Sequence, residues 1–63
     1  MAITLKRARV KKGLTQVNAA ELIGITKDTL SNYERGKSYP DVPIIKKIEV
    51  VYGVTYSDIK FLP

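Results

Sequence analysis

The sequence predicts an all-α domain of five short helices. Three observations predict it. Apolar residues recur at spacings of three and four, as in Val42, Ile45, Ile48 and Tyr52, and no stretch of strand length alternates with period two. A hydroxyl or carboxylate side chain precedes each periodic stretch, at Thr4, Thr15, Thr26, Asp41 and Thr55. Such side chains accept from the free N–H groups of a helix start. Glycine closes four of the stretches, at Gly13, Gly24, Gly36 and Gly53. Glycine enters the left-handed conformation that ends a helix without a Cβ penalty.

Taken in order, Thr4 caps a first helix over LKRARVKK, in which Leu5 and Ala8 share a face with Arg9. Lys11 and Lys12 fall in its last turn, where cations suit the negative end of the helix dipole. Leu14 packs inward and Thr15 caps the second helix, whose inner stripe is Ala19, Ala20 and Ile23, with Leu22 partly buried. Gly24 stops it, Ile25 plugs inward, and Thr26 caps a third helix running to about Arg35. After the loop KSYPD, Asp41 caps the fourth helix, with Pro43 in its first turn, where the missing N–H costs nothing. Gly53 ends it, Val54 turns inward, and Thr55 caps a fifth helix from Tyr56 to Leu62.

Sixty-three residues make one domain, spanning 1–63. Whether that domain is a complete small protein or the N-terminal part of a longer one stays open. A chain of this size buries only about 60% of its unfolded surface, so its core is small. With no cysteine there is no disulfide framework or thiolate site, and no histidine means the commonest general base and zinc ligand are missing. No metal, cofactor or small-molecule ligand is expected, and no catalytic constellation is visible. The apolar runs fall far short of the roughly 20 residues needed to span a bilayer, so no membrane role is expected and the cytosol is the default compartment. Eleven basic against six acidic residues give a net charge of +5, which points to an anionic partner.

The segment QVNAAELIGITKDTLSNY is the most informative part of the chain. A small residue, a glycine, a plug, a cap and an apolar pair follow one another in the order of two helices joined by a tight turn. This is a helix-turn-helix, a unit whose second helix is shaped for the major groove of DNA. On that helix, with Lys27 set at zero, Asp28, Ser31, Asn32 and Arg35 fall between about 0° and 140°. Leu30 and Tyr33 fall near roughly 300° and 240°, on the other side. The polar face carries groups that read bases. Lys27 donates to guanine, Asn32 pairs with adenine, Asp28 accepts from cytosine or discriminates against wrong bases, and Ser31 is short and adaptable.

Other side chains suit the phosphate backbone. Gln16 lies in the first turn of the second helix, where its amide joins the free N–H groups of the helix start. Arg35 comes late in the third helix, and Lys37, Ser38 and Tyr39 occupy the loop after it. Arg9 and Glu34 are placed to form a partly buried ion pair between the first and third helices. Ile44, Val51, Tyr56, Phe61 and Leu62 form either core or an apolar dimer surface.

The run from Leu5 to about Leu62 resembles the Cro/CI-type helix-turn-helix family of phage repressors and xenobiotic-response-type regulators. GLTQ at 13–16, Ala20, GIT at 24–26, YERGK at 33–37, Pro40 and YGVT at 52–55 carry the resemblance. It implies a compact five-helix, lambda-repressor-like domain that binds operator DNA, usually as a homodimer, in the cytoplasm on the nucleoid. By position, Gln16 matches a phosphate-clamping glutamine and Thr26 a cap with a phosphate nearby. Lys27, Asp28 and Asn32 match base-reading positions, and Arg9 with Glu34 matches a structural ion pair. Ala19, Lys46 and Glu49 depart from the family pattern, the first where leucine is usual and the others where apolar residues are frequent. The leading expectation is a sequence-specific regulator, most simply a repressor. The alternative is a protein-interaction module of the same fold, such as an antitoxin or bridging factor.

Overall fold

In the computed structural model, residues 2–61 are described. Four α-helices form where the caps and glycines put them: α1 Leu5–Lys11, α2 Gln16–Ile23, α3 Lys27–Glu34 and α4 Val42–Tyr52. The Thr4, Thr15, Thr26 and Asp41 side chains accept from Arg7, Asn18, Thr29 and Ile44 backbone N–H groups at 3.1–3.2 Å. Each satisfies one of the donors that a helix start leaves free.

α2 crosses both α3 and α4, and α1 lies against α3. The core sits between them, with Leu5, Ala19, Ile23, Leu30, Ile48 and Tyr52 all but fully buried. Ala19 is wholly enclosed, so the small residue here allows close approach rather than leaving a partly filled surface. Leu14, Ile25 and Val54 fold from the turns onto this core.

The fifth helix does not form. Tyr56–Asp58 is a single 3₁₀ turn, and Ile59–Lys60 is a short strand, β2, paired in parallel with β1, Ile3–Thr4. One local contact closes the first turn, and one long-range pairing takes the chain out of it. Thr55 and Asp58 close on one another as a reciprocal box, with the Thr55 hydroxyl donating to Asp58 Oδ2 at 2.8 Å. These bonds hold the Asp58 carboxyl below the usual carboxylate range. The chain then extends at Ile59, a β-branched residue with φ −98° and ψ 131°, and its register partner is Ile3. Strands of two residues are too short for any period to show. Leu62 lies outside the described residues.

Val42, assigned to the inner stripe of α4, and Leu22, expected to be partly buried, both face outward. Val42 is 65% exposed and Leu22 is 60% exposed. Around the α4 axis, Ile44, Ile45, Val51 and Tyr52 lie within about 60° of Ile48, whereas Val42 lies about 120° away. The stripe therefore runs through Ile44 and Ile45. Glu49, at a position often apolar in related chains, has a use here: its Oε2 accepts from the Tyr56 backbone N–H at 2.7 Å.

Gly24 carries the turn between α2 and α3 at φ +89°, and both its N–H and that of Ile25 donate to the Ala20 carbonyl. A Cβ there would meet only Lys47 Nζ, at 3.5 Å, so space is not the obstacle. Backbone handedness is. Gly24→Ala is expected to destabilise the domain by about 1–2 kcal/mol. Urea denaturation should show a lower midpoint with an unchanged slope.

Candidate nucleic-acid interface

α3 presents two unlike faces. Leu30 and Tyr33 are buried against the body, while Lys27, Asp28 and Arg35 are exposed. Ser31 and Asn32 are half-buried on the same outer side. The four residues expected to read bases thus share one surface, and Arg35 borders it. Arg35 Nη2 donates to Asn32 Oδ1 at 3.2 Å, which lends the Asn32 side chain a preferred orientation. Asp28 stands in the first turn of α3, where a carboxylate also favours the positive helix end.

The Thr26 hydroxyl is committed to its own helix. It accepts from Thr29 N–H at 3.1 Å and shares a hydrogen bond with the Thr29 hydroxyl at 2.8 Å. Any phosphate near Thr26 would therefore meet the backbone N–H groups of the α3 start before the side chain. Lys37 and Ser38 are exposed beyond α3, where the Lys37 N–H donates to the Asn32 carbonyl. Tyr39 is 62% exposed, and its ring lies 5.6 Å from that of Phe61.

The group that fixes this surface lies beneath it. Arg9 Nε donates to Glu34 Oε2 at 2.8 Å, and Arg9 Nη1 donates to the Leu14 carbonyl at the same distance. Both side chains of the pair are more than nine-tenths buried. Gln16 Nε2 donates to the other carboxylate oxygen, Glu34 Oε1, at 3.0 Å. One carboxylate thus ties α1, the α2 start and the α3 end together. Nothing in the residue spacing signals the Gln16–Glu34 bond, because the three residues come together only through the packing of three helices. It orients the Gln16 amide and leaves its second N–H and the N–H groups of the α2 start for a partner.

Tyr52 stands beside the pair with its hydroxyl buried and, among the described residues, lacking a hydrogen-bond partner. Burial first, and then the negative charge of Glu34, push its pKa from 10.0 up to about 12, with Arg9 acting in the opposite sense.

The expected dimer surface divides. Phe61 is only 8% exposed, packed between the rings of Tyr39 and Tyr56, each 5.6 Å away. It belongs to this chain's own core, because the strand β2 carries it inward. Ile44 and Val51 are half-buried against the same core, and Tyr56 is exposed.

The family model described as Helix-turn-helix matches residues 5–59. The chain belongs to the Cro/CI-type helix-turn-helix family. Among curated relatives, this helix-turn-helix chain is 45% identical over 51 residues to the HTH-type transcriptional regulator ImmR of Bacillus subtilis, covering 81% of this chain and 40% of that one. It is 37% identical over 51 residues to YonR of the same organism, an SPbeta prophage-derived uncharacterized HTH-type transcriptional regulator, covering 81% and 47%. It is 37% identical over 54 residues to the HTH-type transcriptional regulator PuuR of Escherichia coli, covering 86% and 29%. The chain therefore spans less than half the length of each of these relatives. All three are named as regulators and none as an enzyme. No solved structure matches the chain significantly. Among the described residues, no group of three His, Cys, Asp or Glu side chains is placed to hold a metal, and no helix is long and apolar enough to cross a membrane.

Two stability experiments probe the buried network. Glu34→Gln or Arg9→Met alone strands a buried charge and should cost about 3–5 kcal/mol, whereas Arg9→Met with Glu34→Leu should cost far less than the sum. Urea denaturation of the singles and the double measures this. Tyr52→Phe removes an unpartnered buried hydroxyl and should leave stability unchanged or raise it. Because the folded-state pKa lies above the unfolded one, the parent loses stability as pH rises from 10.0 toward about 12. The Tyr52→Phe variant should lose less over that window, as thermal melts at stepped pH would show.

Proposed function

We propose that this domain is a sequence-specific DNA-binding transcription regulator that lays α3 in the major groove of an operator. The observation that carries the reading is the outer face of α3. It gathers Lys27, Asp28, Ser31 and Asn32 on one solvent-facing surface while Leu30 and Tyr33 anchor the opposite face. An α-helix with its side chains is about 10–12 Å across, which suits a major groove about 12 Å wide. Family membership and the regulator relatives support the same conclusion.

In this mechanism Lys27 donates to guanine O6 and N7, and Asn32 pairs with adenine N6 and N7. To do so Asn32 gives up its exposed bond to Arg35, which turns to a phosphate. Asp28 accepts from a cytosine amino group or repels a wrong base, and Ser31 adjusts between neighbours. Gln16, held by Glu34, and the backbone N–H groups behind it clamp one phosphate. Lys37, Ser38 and Tyr39 hold another beyond α3, and the N–H groups after Thr26 a third. These contacts set register, and the base contacts set sequence.

The longest extent of the Cα trace is 27 Å. Half-sites one helical turn apart lie about 34 Å from each other, so one copy cannot reach both. The proposed arrangement is a homodimer on a two-fold symmetric site, at least on DNA. A domain that occupies a promoter blocks access to it, so repression is the proposed outcome. Its setting is the bacterial or phage-infected cytoplasm, on the nucleoid.

Selection of bound sequences from a random DNA pool is the direct test, and recovery of no common motif would defeat the reading. On the selected site, Asn32→Ala should cost about 1–3 kcal/mol and relax preference at one base pair. Lys37→Ala should weaken specific and random duplexes alike and lower the salt slope by about one. Titrating a palindromic site against its isolated half measures the contribution of the second copy.

A further inference from the structure

The positive charge of this chain is not concentrated on the proposed reading surface. That surface sets Lys27, Arg35 and Lys37 against Asp28, and Arg9 cancels Glu34. On the far side, α1 and the segment from Tyr52 to Lys60 wall a groove. Five of the eleven basic residues, Lys6, Arg7, Lys11, Lys12 and Lys60, line it, against the single carboxylate Asp58. All five are exposed, and among the described residues none takes part in a salt bridge. The groove holds most of the net charge of +5.

Helix geometry puts it apart from α3. With Leu5 at zero, the buried residues Ala8 and Arg9 lie near roughly 300° and 40°, and Arg9 points to α3. Lys6, Val10, Arg7 and Lys11 lie between about 100° and 240°, on the side facing away. No residue of α3 or of the following loop contributes to the groove.

The lining is not only cationic. Ile3, Val10 and Val54 contribute apolar surface, Val10 is 57% exposed, and Ala8 and Tyr52 form a buried floor. A duplex backbone is a convex rod of phosphates and has no use for an apolar floor. A polypeptide with carboxylates along one edge and aliphatic side chains along the other fits both features.

We propose that this groove is a binding surface, apart from α3, which takes an acidic, partly apolar segment of a protein partner. The α1 cations draw in the partner's carboxylates, and Val10, Ile3 and Val54 receive its aliphatic side chains. The inference stands on the groove alone and does not require that α3 reads DNA.

The test is an NMR titration of the ¹⁵N-labelled chain with a short synthetic peptide alternating glutamate and leucine, with a glutamate–serine peptide of equal charge beside it. Shifts should cluster at residues 6–12 and 52–60 with the leucine peptide, and be much smaller with the serine one. Charge reversal at four positions (Lys6→Glu, Arg7→Glu, Lys11→Glu, Lys12→Glu) should weaken peptide binding by about tenfold or more. The same variant should keep its helical circular dichroism spectrum. A milder pair, Lys6→Gln with Lys11→Gln, should give a smaller loss in the same direction, which keeps the test sound if the fourfold variant unfolds. Shifts centred on α3, equal binding of both peptides, or no saturable binding would overturn the proposal. So would a folded charge variant that lost affinity chiefly for DNA, because the groove would then be a backbone clamp. Failure to select an operator would leave the peptide result untouched, so the two readings fail separately.

Discussion

A single carboxylate, that of Glu34, organises the junction of three helices beneath the outer face of α3. It accepts from Arg9 on α1 and from Gln16 on α2 while sitting at the end of α3. Burying two charges costs several kcal/mol per ion before their attraction repays it, so a pair of this kind is a poor way to add stability. Its value lies in geometry. In a chain with so small a core, apolar packing alone leaves helices free to slide and rotate by small amounts. Carboxylate and guanidinium groups tolerate little such freedom, because their hydrogen bonds weaken steeply with angle. The angle between α1 and α3, and the direction of the Gln16 amide, are set together.

The same network explains why the α2 start needs no lysine. Its positive potential comes from oriented N–H groups and an amide held at a fixed position, rather than from a mobile ammonium. Such a site gains shape selectivity and gives up long-range pull. The long-range pull resides elsewhere, on α1 and Lys60, where cations face solvent.

Much of this fold is legible in the residue order because the controlling signals are local. Thr15, Gly24 and Thr26 each determine a turn within a few residues of themselves, and the four α-helices arise from such pairs. The two faces of α3 can be read because eight residues of helix repeat the 3.6-residue period twice. The last segment misleads for the opposite reason. Thr55 and Asp58 look like a helix start, and they do close one turn, but the course of the chain beyond Asp58 is decided by pairing with Ile3 at the other end of the domain. Phe61 reads equally as core or as dimer surface, because its burial depends on that same strand. Leu22 and Val42 read as core because apolar character fixes a residue's preference, whereas its angle to the axis of burial emerges only when all four helices are assembled. The Gln16–Glu34 bond and the stranded Tyr52 hydroxyl are likewise products of several helices meeting.

The parallel pairing of Ile3–Thr4 with Ile59–Lys60 brings the two ends of the fold to one place, since neighbouring strands run about 4.8 Å apart. The connectivity of residues 3–60 is thus nearly circular, and the packing does not dictate where the ring is opened. Joining the ends with a short flexible linker and reopening the ring at the exposed Lys37–Ser38 stretch would preserve every helix. The order of elements would then run from α4 through both strands to α1, α2 and α3. In that rearranged molecule α3 becomes the last element of the chain, and any peptide appended after it would begin beside Arg35 and Lys37, at the edge of its polar face.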